Sequence, residues 1–155
     1  MTLFADSSAL VKLYATEVDS KLARNLVQVN TTMISSLAWV EVPAALWRKN
    51  RTGDLEVVDV LVLAQWFAAD AQGTPTTSPR FTSLAVTPAM PRQAVDLVAK
   101  HGLRAYDAVQ LASAVAARAT VGCDAFLCFD KALRAAAEAE GFDTGVPVHG
   151  GTSEQ

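Results

Sequence analysis

Four acids stand in settings unusual for solvated carboxylates. Asp6 follows the apolar run TLFA, and Asp130 follows AFLCF. Glu41 is embedded among Trp39, Val40, Val42 and Pro43. Asp107 falls in the first turn of an Ala-rich helical stretch. It shares a face there with Gln110, Leu111 and Ala114, because residues three and four apart are neighbours on a helix. Ligands of open parallel sheets bind at the carboxyl ends of the strands, so carboxylates delivered there make a candidate site. Four carboxylates close together in a cleft repel one another, and a divalent cation makes such a cluster tolerable. Hard oxygen donors select magnesium, or manganese as its substitute, over zinc. Each acid also has a plain structural reading. Asp6 and Asp130 would cap the helices that follow them. Asp107 would complement a helix dipole, and Glu41 would sit in solvent, the default for Glu. Periodicity alone leaves open whether the four converge.

The elements that must position these acids alternate between strand and helix, the pattern of a parallel sheet covered on both faces. Strands are expected at 2–5, 31–34, 81–86 and 125–129, with Val146 and Val148 in a last short one. Helices are expected at 7–15 and from an Asp19 cap through Val29. A third runs from Ser35 or Ser36 as N-cap to about Thr52, where Gly53 stops it. Pro43 lies inside that helix and must sit within about two turns of its start or kink it. Asp54 is expected to cap a fourth helix reaching about Ala71. Helices at 88–101, 103–120 and 131–140 complete the set, and the Gly-, Thr- and Pro-rich segment 72–79 is a loop.

The bulk composition restricts the class. A chain of 155 residues, 51% hydrophobic, fits one domain with a buried core. A formal net charge of -3 does not advertise a nucleic-acid binder, although a local basic rim can act where the global charge does not. The two cysteines, Cys123 and Cys128, lack partners at zinc spacing and read as buried inert thiols. His101 ends a helix and His149 sits near the tail, so neither is placed as a general base. No secretory signal or membrane span is read, and a cytoplasmic protein is expected.

The stretches DSSALVKLY, SSLAWVEVPAAL, HGLRAYDAVQLASA and FLCFDKAL follow one another in this order. On them the chain resembles a PIN-domain ribonuclease of the VapC toxin type, up to about residue 140. The resemblance implies a three-layer α/β/α fold around a parallel sheet of four to five strands, with about seven helices. It would cover 1–148, leaving a flexible tail at 149–155. It also implies hydrolysis of an RNA phosphodiester by a metal-activated water. Asp6, Asp107 and Asp130 then face a magnesium ion, and Glu41 holds a metal-bound water or orients the nucleophile. Ser7 and Ser8 match the family's hydroxyl neighbours, and Ser8 would bond a carboxylate or a bound water. Cys128 departs from the pattern, since the family often has Ser or Thr two residues before the fourth acid. A structured RNA such as tRNA is the expected target class. The cations nearest the acids in sequence are candidate RNA contacts: Arg48, Lys49 and Arg51 at one helix end, and Arg104, Lys131 and Arg134 near the third and fourth acids.

Other readings compete. A PIN nuclease outside any toxin–antitoxin (VapBC) pair would share the four acids. A magnesium-dependent phosphatase also places Asp at strand ends, but DSSAL lacks the second Asp of an Asp-x-Asp motif and leaves Glu41 without a role. A catalytically silent interaction domain would have lost one or more acids, and all four are present. The 54–71 helix is apolar nearly all round, including Val57, Val58, Leu61, Val62, Trp66 and Phe67, where a helix packed on a sheet needs only one stripe. An interface is therefore expected there, with a homodimer and a small antitoxin as its partners, as in VapC toxins.

Overall fold

The structure is a computed structural model that describes residues 1–145, so the expected strand at Val146 and Val148, His149 and the expected tail lie outside the described residues. Strands β1 (Thr2–Ala5), β2 (Thr31–Ser35), β3 (Phe81–Leu84) and β4 (Ala125–Leu127) pair in parallel in the order β3-β2-β1-β4. Seven helices accompany them among the described residues: α1 (Ser7–Tyr14), α2 (Ser20–Val29), α3 (Ala38–Arg51), α4 (Val57–Gln72), α5 (Ala89–His101), α6 (Ala105–Val121) and α7 (Lys131–Ala139). The chain runs outward from β1 through β2 to β3, then returns across the sheet to lay β4 against the other side of β1. That reversal makes a switch point between β1 and β4, where open parallel sheets bind ligands.

Side chains alternate across a strand, so each strand feeds two cores. Leu3 and Ala5 of β1, Ile34 of β2 and Leu127 of β4 join Leu10, Leu46, Val60 and Phe67 from α1, α3 and α4 on one face. Phe4, Met33 and Phe126 point the opposite way, into a second core with Leu97, Leu111 and Leu133 from α5, α6 and α7. Phe4 and Phe126 are register partners, and their rings stack with centroids 5.7 Å apart. The result is the expected three-layer α/β/α arrangement.

Several helix starts differ from the expected ones. Asp54 does not cap α4; its carboxylate instead accepts a bond from the Thr52 hydroxyl. The cap falls on Glu56, which forms a reciprocal capping box with Asp59. Neither Ser35 nor Ser36 is the N-cap of α3. The cap is Leu37, and the Ser35 hydroxyl accepts the Leu37 N–H in a turn just before it. Asp19 does hold the N-cap position of α2, but in the left-handed region, φ 67°, with no side-chain cap bond. Pro43 is accommodated early in α3, which continues to Arg51. No helix among the described residues is long and apolar enough to cross a membrane.

Candidate active site

Parallel pairing of β1 with β4 brings their carboxyl ends together: Ala5 pairs with Leu127, and the Asp6 N–H donates to the Leu127 carbonyl at 3.1 Å. Asp6 then caps α1. Its Oδ1 accepts the Ala9 N–H at 3.0 Å and the Ser8 hydroxyl at 2.8 Å. Ser8 in turn accepts the Phe129 N–H at 3.2 Å, fastening the exit of β4 to the start of α1. Asp6 is only 4% exposed. Burial pushes its carboxyl up to about 6, against the pull of the Ser8 and Ala9 hydrogen bonds, and the charge of Asp107 adds to the rise.

Glu41 comes from the first turn of α3 and reaches across to α1 and α6. Its Oε2 accepts both the Ser7 hydroxyl and the Gln110 amide, each at 2.5 Å. The same Gln110 nitrogen also donates to Ser7 Oγ at 3.0 Å, so three elements meet at one carboxylate oxygen. Asp107, in the first turn of α6, and Asp130, the N-cap of α7, share a cation. Arg104 approaches Asp107 through Nε at 3.0 Å and Asp130 through Nη2 at 3.5 Å. Asp130 also accepts the Leu133 N–H at 3.0 Å. Cys128 is fully buried, and its thiol lies 3.4 Å from the Asp130 carbonyl, a weak counterpart of the expected hydroxyl contact. Burial raises its pKa, which keeps it a thiol rather than a reactive thiolate.

All four acids line one cavity of about 800 Å³, together with Ser7, Ser8 and Gln110. The structural readings of Asp6 and Asp130 hold, since both cap helices, and both residues also face the cavity. The cations separate into two groups. Arg48, Lys49 and Arg104 line the cavity, whereas Arg51, Lys131 and Arg134 do not. Sequence reasoning missed Lys12 and Glu17. Lys12 Nζ lies 3.5 Å from Glu17, and Glu17 lies 3.6 Å from Lys49, so these side chains form a linked patch on the cavity wall. Gln110 was visible only as a face-mate of Asp107. His101 is structural, with Nε2 2.7 Å from Glu140 at the end of α7.

The donors facing the cavity are carboxylate and hydroxyl oxygens, the set that suits magnesium or manganese. A buried carboxylate raised by desolvation and by a neighbouring acid is a charge that a cation would relieve. The residues present therefore fit such an ion in donor type and charge. As they stand, no three His, Cys, Asp or Glu side chains among the described residues are disposed to grip a metal. Each carboxylate is pinned instead by its own donors: Asp6 by Ala9 and Ser8, Glu41 by Ser7 and Gln110, Asp107 and Asp130 by Arg104.

The PIN domain family matches residues 3–139, and the chain belongs to it. Solved structures share the fold at low identity. The sarcin-ricin loop cleaving toxin VapC20 of Mycobacterium tuberculosis is 20% identical, with a TM-score of 0.63 over 94% of this chain and 99% of that one. A chain from a toxin–antitoxin complex of Klebsiella pneumoniae is 18% identical, with a TM-score of 0.56 over 84% of this chain and 87% of that one. A protein from Pyrobaculum aerophilum is 19% identical, with a TM-score of 0.59 over 88% and 79% respectively. Among curated proteins, none matches the chain.

Proposed function

We propose that this chain is a magnesium-dependent endoribonuclease and the toxin of a VapBC-type pair. The observation that carries the reading is the meeting of Asp6, Glu41, Asp107 and Asp130 around one cavity at the switch point of a PIN fold. Asp6, Asp107 and Asp130 would hold the cation. When bound, magnesium supplies an acidified water and charge stabilisation for the phosphodiester oxygens. Glu41 uses Oε2 for Ser7 and Gln110, and its other oxygen is the acceptor that orients the attacking water or takes its proton. Arg104 can turn from the carboxylates to a substrate phosphate, since its side chain is 79% exposed. Arg48 and Lys49 offer a second cationic wall for a flanking phosphate. Tyr106, exposed on the cavity rim, presents an aromatic face to an unpaired base, which favours single-stranded or loop RNA over duplex.

The partner half of the reading rests on α4. Val58, Leu61 and Trp66 are all more than half exposed while Val60 and Phe67 face the core, so an apolar stripe stands unpartnered. A stripe of that kind marks an interface. The structural neighbour from a toxin–antitoxin complex supports a small antitoxin as one occupant, and a second copy of the chain is the other. The activity test is incubation of the purified chain with single-stranded and stem-loop RNA, with magnesium or with chelator. Cleavage in magnesium alone supports the reading, and equal cleavage under both conditions rejects it.

A further inference from the structure

We propose that Gln110 is a positioning residue that fixes Glu41 for catalysis, and that it is retained at the expense of its own hydrogen bonding. The proposal rests on the nuclease reading above. Gln110 is 2% exposed and sits one turn along α6 from Asp107. A carboxylate only accepts hydrogen bonds, so the amide nitrogen must be the atom facing Glu41 Oε2; the opposite amide orientation would set oxygen against oxygen at 2.5 Å. The amide nitrogen then faces Glu41 Oε2 and Ser7 Oγ together, from one side. The Ser7 hydroxyl gives its own proton to Glu41. The assignment leaves Gln110 Oε1 buried with no partner, the one such side-chain atom among the described residues.

An unpaired buried acceptor is destabilising; an apolar side chain of similar shape removes that penalty but also gives up the hydrogen bonds to Glu41 and Ser7. A residue kept for packing would not carry this defect. A residue kept to grip Glu41 carries it as a by-product, because the amide must point its donors at the carboxylate. Ser7 from α1 and Gln110 from α6 approach Glu41 of α3 together, so the rotamer of Glu41 is set by two elements other than its own. Outer partners that orient a site carboxylate are typically worth about tenfold to a hundredfold in metal affinity or activity.

The test uses the full chain with Gln110→Met and, separately, Ser7→Ala. Manganese affinity is measured by titration calorimetry, melting temperature in chelator, and kcat and KM on an RNA oligonucleotide. Gln110→Met should melt close to the wild-type temperature, because the relieved acceptor offsets the lost bonds, while it binds manganese about tenfold more weakly and loses kcat with KM unchanged. In a Glu41→Gln background neither change should have a further effect, because both act through Glu41. Ser7→Ala should show the same dependence on Glu41, which keeps the test alive if Gln110→Met folds poorly. Wild-type manganese affinity and kcat in Gln110→Met, or losses that add to those of Glu41→Gln, would overturn the positioning role alone. A wild-type chain that neither binds manganese nor cuts RNA would overturn the nuclease reading and this inference with it.

Discussion

Asp6 is buried beneath the ends of two strands, yet a metal site needs it ionised. Its carboxyl is raised from the ordinary 3.8 to about 6. The folded chain therefore holds the proton more tightly than the unfolded chain does. Folding stability is greatest on the acid side of that window and falls as pH rises from about 3.8 to about 6. Above the window, a rise of that size corresponds to a penalty of about 3 kcal/mol. Asp6→Asn keeps an oxygen for the Ala9 N–H and the Ser8 hydroxyl, and Asn caps a helix as well as Asp does. In chelator at about pH 7.5 the Asn variant should melt above wild type, with the gap closing toward about pH 4. Magnesium or manganese should raise the wild-type melting temperature, because a ligand bound only by the native state stabilises it, and should leave the variant unmoved. A variant that melts below wild type in chelator, or gains as much from metal, would contradict this account of the carboxylate.

At the scale of elements, α4 carries a core face and an exposed apolar face on one helix. Phe67 packs against Tyr14 and Trp39 in the first core, and Phe67→Ala should cost roughly 3–5 kcal/mol, read as a shifted denaturation midpoint. Val62 and Trp66 face outward, so Val62→Asp and Trp66→Ala should leave that midpoint nearly unchanged. The same two changes should shift a homodimer toward monomer in light scattering at micromolar concentration. Much of this layout is legible in the sequence, because runs such as TLFA and TTMI carry strand signals and Gly53, Gly102 and Gly141 mark helix ends. The α4 start is not, because Asp54 and Glu56 both offer an N-cap, and the choice falls to the reciprocal bond between Glu56 and Asp59. The ends of β3 and β4 read too long by two residues each, since Ala85, Val86, Cys128 and Phe129 stay apolar after the ladder ends. The carboxylates are legible as motif positions. Their partners are less so, because Ser7 and Gln110 are 103 residues apart and meet only in the folded chain.

Across the whole molecule the net charge of -3 must be reconciled with the proposed RNA substrate. The reconciliation is local: Lys12, Arg48, Lys49 and Arg104 line the same cavity as the acids. Removing one phosphate contact should weaken RNA binding similarly across sequences and lower the slope of log affinity against log salt by about one. Arg48→Ala and Lys49→Ala should each do so in a filter-binding salt series, whereas Lys131→Ala, outside the cavity, should leave the slope unchanged. If the four carboxylates form the proposed metal-dependent nuclease site, RNA cleavage by the full chain and by Asp107→Asn purified in parallel reads it out most directly. Wild type should cleave in magnesium and not in chelator, and the variant should lose at least about a hundredfold. Equal cleavage by both proteins, or by wild type in chelator, would contradict it.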